Sequence, residues 1–230
     1  FIGKTGLSAQ ETALRVVSNN LANVNTDGFK KSRAVFEDLV YQAQRQPGAQ
    51  SSASTDLPSG FQLGTGVRTS ATQTMFTQGT IQVTGNSLDL AIQGNGFFQI
   101  SRPDGTTAYT RNGQFQLNVN GDIVSPEGFL LEPQINIPAG TVSVDISQTG
   151  DVSVTDNAGN RTNQGTITIA TFVNPGGLQA AGANHFLETP ASGAPTVAAP
   201  GDQGAGTGAL VAEALENSNV NSVEELVDMI

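Results

Sequence analysis

Few residues in this chain are of types that do chemistry, and their spacing decides what they could do. His185 is the single histidine and stands in "GANHFLE". A nucleophile–base–carboxylate relay needs partners that this stretch does not supply. One imidazole and no cysteine leave neither a histidine cluster nor a thiolate site for a metal. "GKT" at 3–5 spells the end of a phosphate loop, but such a loop needs a strand and a glycine cradle ahead of it, and only Phe1 and Ile2 precede. "GNGFF" (94–98) and "GAGTGA" (204–209) lack the strand–glycine loop–helix order of a dinucleotide fingerprint. "NRT" (160–162) matches a glycosylation triplet by spelling alone. "DNAGN" (156–160) and "NVNGD" (118–122) hold oxygen ligands out of EF-hand order, and turn chemistry accounts for them. Glu37–Asp38 and Glu224–Glu225 are adjacent, so on a helix their carboxylates diverge into solvent. The residues therefore point away from an enzyme and imply neither cofactor nor metal.

With chemistry set aside, bulk properties bound the partners. The 230 residues suit one large domain or two small ones. A net charge of −10 argues against nucleic acid and anionic membrane. No apolar run has the length of a membrane span, so no direct membrane insertion is expected. Charge is uneven: six Lys/Arg lie in residues 1–45, while residues 201–230 hold six acids and no base.

The elements follow from periodicity. Gly6, Ala9, Ala13, Val16, Asn20 and Asn23 keep a helical 3-4 spacing, and Leu7, Leu14, Val17, Leu21 and Val24 form a neighbouring stripe. The spacing predicts a helix over 2–24 with one broad apolar face. Its small residues would let another element approach closely. "NVNTDGF" ends it with turn formers and Gly28. Residues 42–68 are rich in Gly, Ser, Gln and Thr and read as a loop or linker by composition; Pro47-Gly48 and Pro58-Ser59-Gly60 are breakers, and Phe61, Leu63 and Val67 alternate as a strand edge would. Residues 69–200 read as many short strands, a β-barrel- or sandwich-like domain. Within it, "FQLNVNGDIV" predicts a hairpin with Phe115, Leu117 and Val119 on one face and a two-residue type I′ turn at Asn120-Gly121. Residues 191–209 read as a Gly/Pro/Ala connector. The tail turns helical after Asn221 or Ser222, with Val220, Val223, Val227 and Ile230 in a stripe widened by Leu226 and Met229. The fold class is mainly β with terminal α-helices, and those two helices could pair as a coiled coil that still leaves apolar surface for further copies.

Asparagines crowd the end of the first helix. Asn25, with Asp27 and Gly28, is termination chemistry; Asn19, Asn20 and Asn23 sit near the apolar face, where a buried amide needs partners. This stretch, "SNNLANVNTDGFKKSR", resembles the N-terminal signature of bacterial flagellar rod and hook proteins. "DLAIQGNGFFQI", "YTRNGQFQLNVNGDIVSPEGFLL" and "LENSNVNSVEELVDMI" resemble further blocks of that axial family in the same order, so the resemblance spans essentially the whole chain. "VFEDLVYQAQRQPGAQSS" with "LPSGFQLGTGVR" resembles its distal-rod members.

The resemblance implies a helical tubular homopolymer. It implies an inner coiled-coil domain from residues 1–30 and a truncated helix at 221–230, a connecting segment with a rod-specific tongue over 31–68, an outer β domain over 69–208 and a return connector over 209–220. Subunit contacts would fall on Gly6, Ala9, Ala13, Val16, Asn20, Leu21, Asn23, Val220, Val223, Leu226, Val227 and Ile230 of the helices. Tongue contacts would fall on Pro47, Gly48, Phe61, Leu63 and Val67. The helix asparagines would find partners only in the packed array. A rigid drive shaft crossing the periplasm to the hook is the implied function, with proximal rod, hook, P-ring and L-ring proteins and the flagellar type III export apparatus as partners. A hook or proximal-rod role is the nearer alternative; a secreted β-rich enzyme or carbohydrate-binding module is the more distant one.

Overall fold

The computed structural model describes residues 2–45, 50–52, 55–56 and 60–229. The fold is mainly β with two helices, α1 (Ile2–Ala22) and α2 (Ser222–Met229). It divides into two compact units: one takes residues 1–21, 32–74 and 222–230, the other 22–31 and 75–221.

In the first unit, the segment after α1 returns as an antiparallel ribbon. Ser32–Asp38 pairs with Val67–Thr74, with a register irregularity between Val35 and Phe36. Tyr41–Arg45 then pairs with Phe61–Gly64, and Gln50–Ser52 with Thr55–Asp56. The composition of 42–68 suggested a loop because ladder bonds are made by the backbone, which Gly, Ser and Gln supply as well as Val does. Pro47, Gly48 and Pro58 lie outside the described residues.

The second unit is built on Phe97–Ser101. Thr107–Thr110 pairs along one edge of this strand, while Leu130–Glu132 and Ile169–Thr171 share the other. Both its faces are buried, which explains why adjacent Phe97 and Phe98, on opposite faces, are both apolar; Gln99 is buried with them. Phe98 and Ile100 are fully buried; Phe98 belongs to the larger core with Leu90, Phe115, Leu131, Ile167 and Leu210. Phe97 belongs to a smaller aromatic cluster with Tyr109 and Phe186, against which Phe76 and Phe172 pack. Burial, with Glu188 and Glu132 nearby, pushes the Tyr109 phenol up to about 12. Thr141–Ile146, Asp151–Asp156 and Arg161–Thr166 form a separate three-stranded meander. Residues 209–220 run back through the unit as strands: Ala209–Ala212 pairs with Leu90–Gln93, and Ala214–Glu216 with Ile81–Val83. Thr196–Ala198, inside the expected connector, pairs with Ile169–Thr171.

The turns correct one sequence expectation. Asn120 keeps negative φ, so Asn120-Gly121 is not type I′. Instead Gly121 N–H donates to Asn118 O at 3.1 Å and Asn118 N–H to Asp122 O at 3.0 Å, closing a three-residue loop with Gly121 at φ +85°. Asn118 Oδ1 selects this loop by accepting from the N–H groups of Asn120 and Asp122. The same bonding, with glycine fourth, recurs at 102–106, 125–129, 147–151 and 156–160. Phe115, Leu117 and Val119 do not line one buried face: Phe115 is buried, while Leu117 and Val119, the latter inside the loop, are exposed. A two-residue loop with both φ positive does occur, at Ala183-Asn184 between paired strands. No Asn-Gly announces it.

Candidate assembly surface

The small residues of α1 face the chain's own ribbon. Gly6, Ala9 and Gln10 line a cavity of about 240 Å³ with Phe36 and Val67. Ala13, Val16, Leu21 and Asn23 are half-buried. Only the first part of the neighbouring stripe points outward: Leu7 is 73% exposed and Leu14 is exposed, as is Ile2, whereas Val17, Leu21 and Val24 are half-buried.

Asn20 is buried and satisfied within the chain, which corrects the expectation that the helix asparagines wait for an array. Its Nδ2 donates to Ser32 O at 2.8 Å and its Oδ1 accepts from Ser32 N–H at 3.0 Å. The amide thus mimics a strand neighbour for the first residue of the ribbon. The same Nδ2 donates to Glu225 Oε2 of α2 at 3.1 Å. Asn23 Oδ1 accepts from Thr26 Oγ1 at 3.3 Å.

That contact fixes how α2 presents itself. Glu225 is buried, while Val223, Leu226 and Val227 are exposed. The helix turns an acid inward and its apolar residues outward, the reverse of a surface helix in a self-sufficient domain. Val220 is not on this helix; it precedes Ser222 and is buried in the second unit. On the ribbon Phe61 and Leu63 are exposed and Val67 is half-buried. Ile230 lies outside the described residues.

The second unit holds a buried ionic joint that sequence reading missed. Glu216 is 1% exposed. Its Oε1 accepts from Lys30 Nζ at 2.6 Å and from Gly79 N–H at 2.8 Å, and its Oε2 from Arg111 Nη1 at 3.2 Å. Lys30 Nζ also donates to Thr77 O at 2.8 Å, and Arg111 Nη2 to Gly94 O at 2.7 Å. The Arg111 guanidinium lies 5.3 Å from the Phe97 ring centroid, a cation–π distance. Burial pushes the Lys30 and Arg111 values down, and the Glu216 carboxylate pulls both back up. Beside the joint, Asn219 Oδ1 accepts from Lys31 N–H at 2.7 Å, and its Nδ2 donates to Met75 O at 2.8 Å and Thr77 Oγ1 at 2.9 Å. Gly28 is forced by both conformation and space: its φ is +69°, and a Cβ there would meet Asn112 N at 2.5 Å. The available signal was a lone charge inside otherwise uncharged stretches, "YTRNG" and "ALENS".

His185 is also buried, with Nε2 at 3.8 Å from Glu127 Oε2 and its ring 5.6 Å from Phe129. Burial lowers its pKa, Arg102 adds to the lowering, and Glu127 opposes. The unfolded imidazole takes up its proton first, near pH 6.5. His185 therefore contributes fully above that pH, and the contribution is lost as pH falls toward the folded value. Melting midpoints across pH 7 to 5 should fall more steeply for the parent than for His185→Gln; parallel curves would refute the assignment.

Among the described residues no cluster of His, Asp and Glu suits a metal, and no helix is long and apolar enough to cross a membrane. Two family models match: "Flagella basal body rod protein" over residues 2–30, and "Flagellar hook protein FlgE/F/G D1 domain" over residues 91–154. The chain is 49% identical to the flagellar basal-body rod protein FlgG of Buchnera aphidicola subsp. Baizongia pistaciae, with 100% of this chain and 88% of the relative aligned. It is 45% identical to FlgG of Agrobacterium fabrum, covering 100% and 87%. Similarity to the flagellar hook protein FlgE of Helicobacter mustelae is 40% identity, but over 56% of this chain and 29% of that protein.

Proposed function

The chain belongs to the FlgG family of flagellar basal-body rod proteins, and from that membership we propose that its helices present the apolar surface on which copies assemble into a tube. It is a structural subunit of the flagellar rod, located in the basal body. The observation that carries the assembly reading is the outward apolar face of α1 and α2: Leu7, Leu14, Val223, Leu226 and Val227 are exposed while Asn20 and Glu225 are buried. Burying that face between copies removes apolar area from water at roughly 25 cal/mol per Å² before ordering costs.

In this reading the helices within 1–30 and 221–230 form the inner coiled-coil layer, 31–68 with the ribbon strand Val67–Thr74 the connecting segment with the tongue, the rest of 69–208 a sandwich-like outer domain and 209–220 its return limb. The two buried faces of Phe97–Ser101 support a sandwich-like packing. The Glu225 contact to Asn20 supports pairing of the helices. The small residues of α1 receive the ribbon, and the Leu stripe receives other copies. The shaft is the distal rod, continuous with proximal rod and hook, turning within the P- and L-rings after export through the type III apparatus. It performs no reaction.

The test is electron microscopy of the full-length protein under polymerising conditions, with Leu7→Ser/Leu14→Ser as the comparison. Straight tubes are expected from the parent. The double variant should raise the critical concentration at least roughly tenfold, because each buried Leu contributes about 1.5–3 kcal/mol. Its β-unit melting should not change. Equal polymerisation of both proteins would overturn the reading.

A further inference from the structure

The chain passes between the two units at 21–22, 31–32, 74–75 and 221–222. Three of these crossings adjoin one set of polar contacts inside the second unit. Lys31 and Met75, the residues at two crossings, are joined by Met75 N–H donating to Lys31 O at 2.8 Å. Asn219, two residues before the last, binds both of them and Thr77. The Glu216 carboxylate then ties Lys30, Gly79 and Arg111 one layer deeper. Main-chain bonds run alongside: Gly28 N–H to Glu216 O at 2.7 Å and Asn217 N–H to Thr80 O at 2.9 Å.

We propose that Glu216, Lys30, Arg111 and Asn219 are positioning residues: together they clamp the limbs 28–31, 75–79 and 216–219 in a single register where the chain leaves the β unit. Stability alone does not explain such a set. A buried ion pair is often no more stabilising than apolar groups of the same size, and its best-attested use is to fix register. Main-chain bonds flank the pairing here, Thr84 N–H to Glu213 O at 2.7 Å and Asn217 N–H to Thr80 O, but backbone bonds alone do not distinguish one register from another. The pairing of Ala214–Glu216 with Ile81–Val83 is three residues long, and a slip by two residues keeps every side chain on its face. The same slip would carry Glu216 away from two cations that have no water to turn to. Asn219 adds direction, because its acceptor and donor ends engage different limbs.

The consequence rests on the rod reading. Load carried along the chain at these crossings is shared by limbs that are fastened together. A single limb pulled alone would slide against its neighbours.

The test uses the full-length protein and the triple variant K30M/R111M/E216L, which replaces the ions by apolar side chains. Amide hydrogen exchange is read at Gly28 and Asn217, whose acceptors are main-chain oxygens that the substitutions do not remove. Exchange at these two amides should accelerate about tenfold or more while strands 97–101 and 107–110 keep their protection. Unchanged protection at Gly28 and Asn217 would overturn the clamp, as would an equal loss across all these strands. If the triple variant does not fold, Asn219→Ala decides: the Met75 amide, whose Lys31 acceptor is untouched, should exchange faster, and parental exchange there would overturn the clamp. Polymers form the separate arm. Failure of the parent to form tubes would count against the rod reading and leave the exchange result standing, whereas tubes equally stiff with and without a loosened clamp would sink the load-sharing role.

Discussion

Glu216→Ala should destabilise the β unit by about 3–5 kcal/mol, more than any other single change to the polar groups described above. The cost arises because one deletion leaves two buried cations, Lys30 and Arg111, facing each other without a counter-charge. It also removes the acceptor of Gly79 N–H. Neither cation can swing to water, since their side chains are 0% and 3% exposed. For a unit of this size the thermal midpoint should fall by on the order of 10 °C. Glu216→Gln should fall between Ala and the parent, because it keeps an oxygen acceptor but adds an amide that faces a donor. Urea unfolding followed by circular dichroism measures the series. A loss for Glu216→Ala below about 1 kcal/mol would mean that the cations are hydrated or discharged and that the joint is not what the geometry describes.

Deleting residues 46–66 should leave the β unit almost untouched and change the polymer. The deletion removes Phe61–Gly64 and with it the partner of Tyr41–Arg45, while Ser32–Asp38 keeps its ladder to Val67–Thr74. All of those residues belong to the first unit, so the cores around Phe98 and Phe97 lose nothing. The β-unit midpoint should shift by no more than a few degrees, as expected when no core contact is lost. Exposed Phe61 and Leu63 of the ribbon are then missing from any contact between copies, and exposed Tyr41 has lost its strand partner. Tubes of the deletion protein should be softer or curved in electron micrographs, because subunits that the ribbon bridged could slide past one another. Straight tubes of parental stiffness would reduce the segment to a loop and remove the physical reason for assigning it to a rigid shaft.

What the sequence made legible was local. Residue spacing carried α1 to within two residues of its end, because an amphipathic period and a terminating glycine are both written in consecutive positions. The turns were legible as turns but not as types. Asn120-Gly121 fits a two-residue loop by composition, and the deciding group, the Asn118 side chain, lies two positions before that dipeptide. The glycine-fourth pattern shared by five loops among the described residues would have named them correctly. The ribbon was legible only in part: the alternation of Phe61, Leu63 and Val67 reads as a strand edge, while the Gly, Ser and Gln around it read as loop. The joint was hidden by distance: Glu216 meets Lys30 across 186 positions and Arg111 across 105. Asn20 shows the middle case. Its type and place said that an amide near an apolar face needs partners, and the partners were Ser32 and Glu225, the second of which only the fold brings near.

The aromatic cluster gives the molecule a built-in optical contrast. The chain has no tryptophan and two tyrosines, so when tyrosine is excited beyond the phenylalanine absorption band its emission comes from Tyr41 and Tyr109. Tyr109 is shut away, its ring 4.8 Å from that of Phe172, whereas Tyr41 is half open to solvent on the ribbon. A dissolved iodide quencher therefore reaches one emitter and not the other. Its accessible fraction reads the state of the ribbon without a label, with the buried tyrosine serving as the internal reference in the same cuvette.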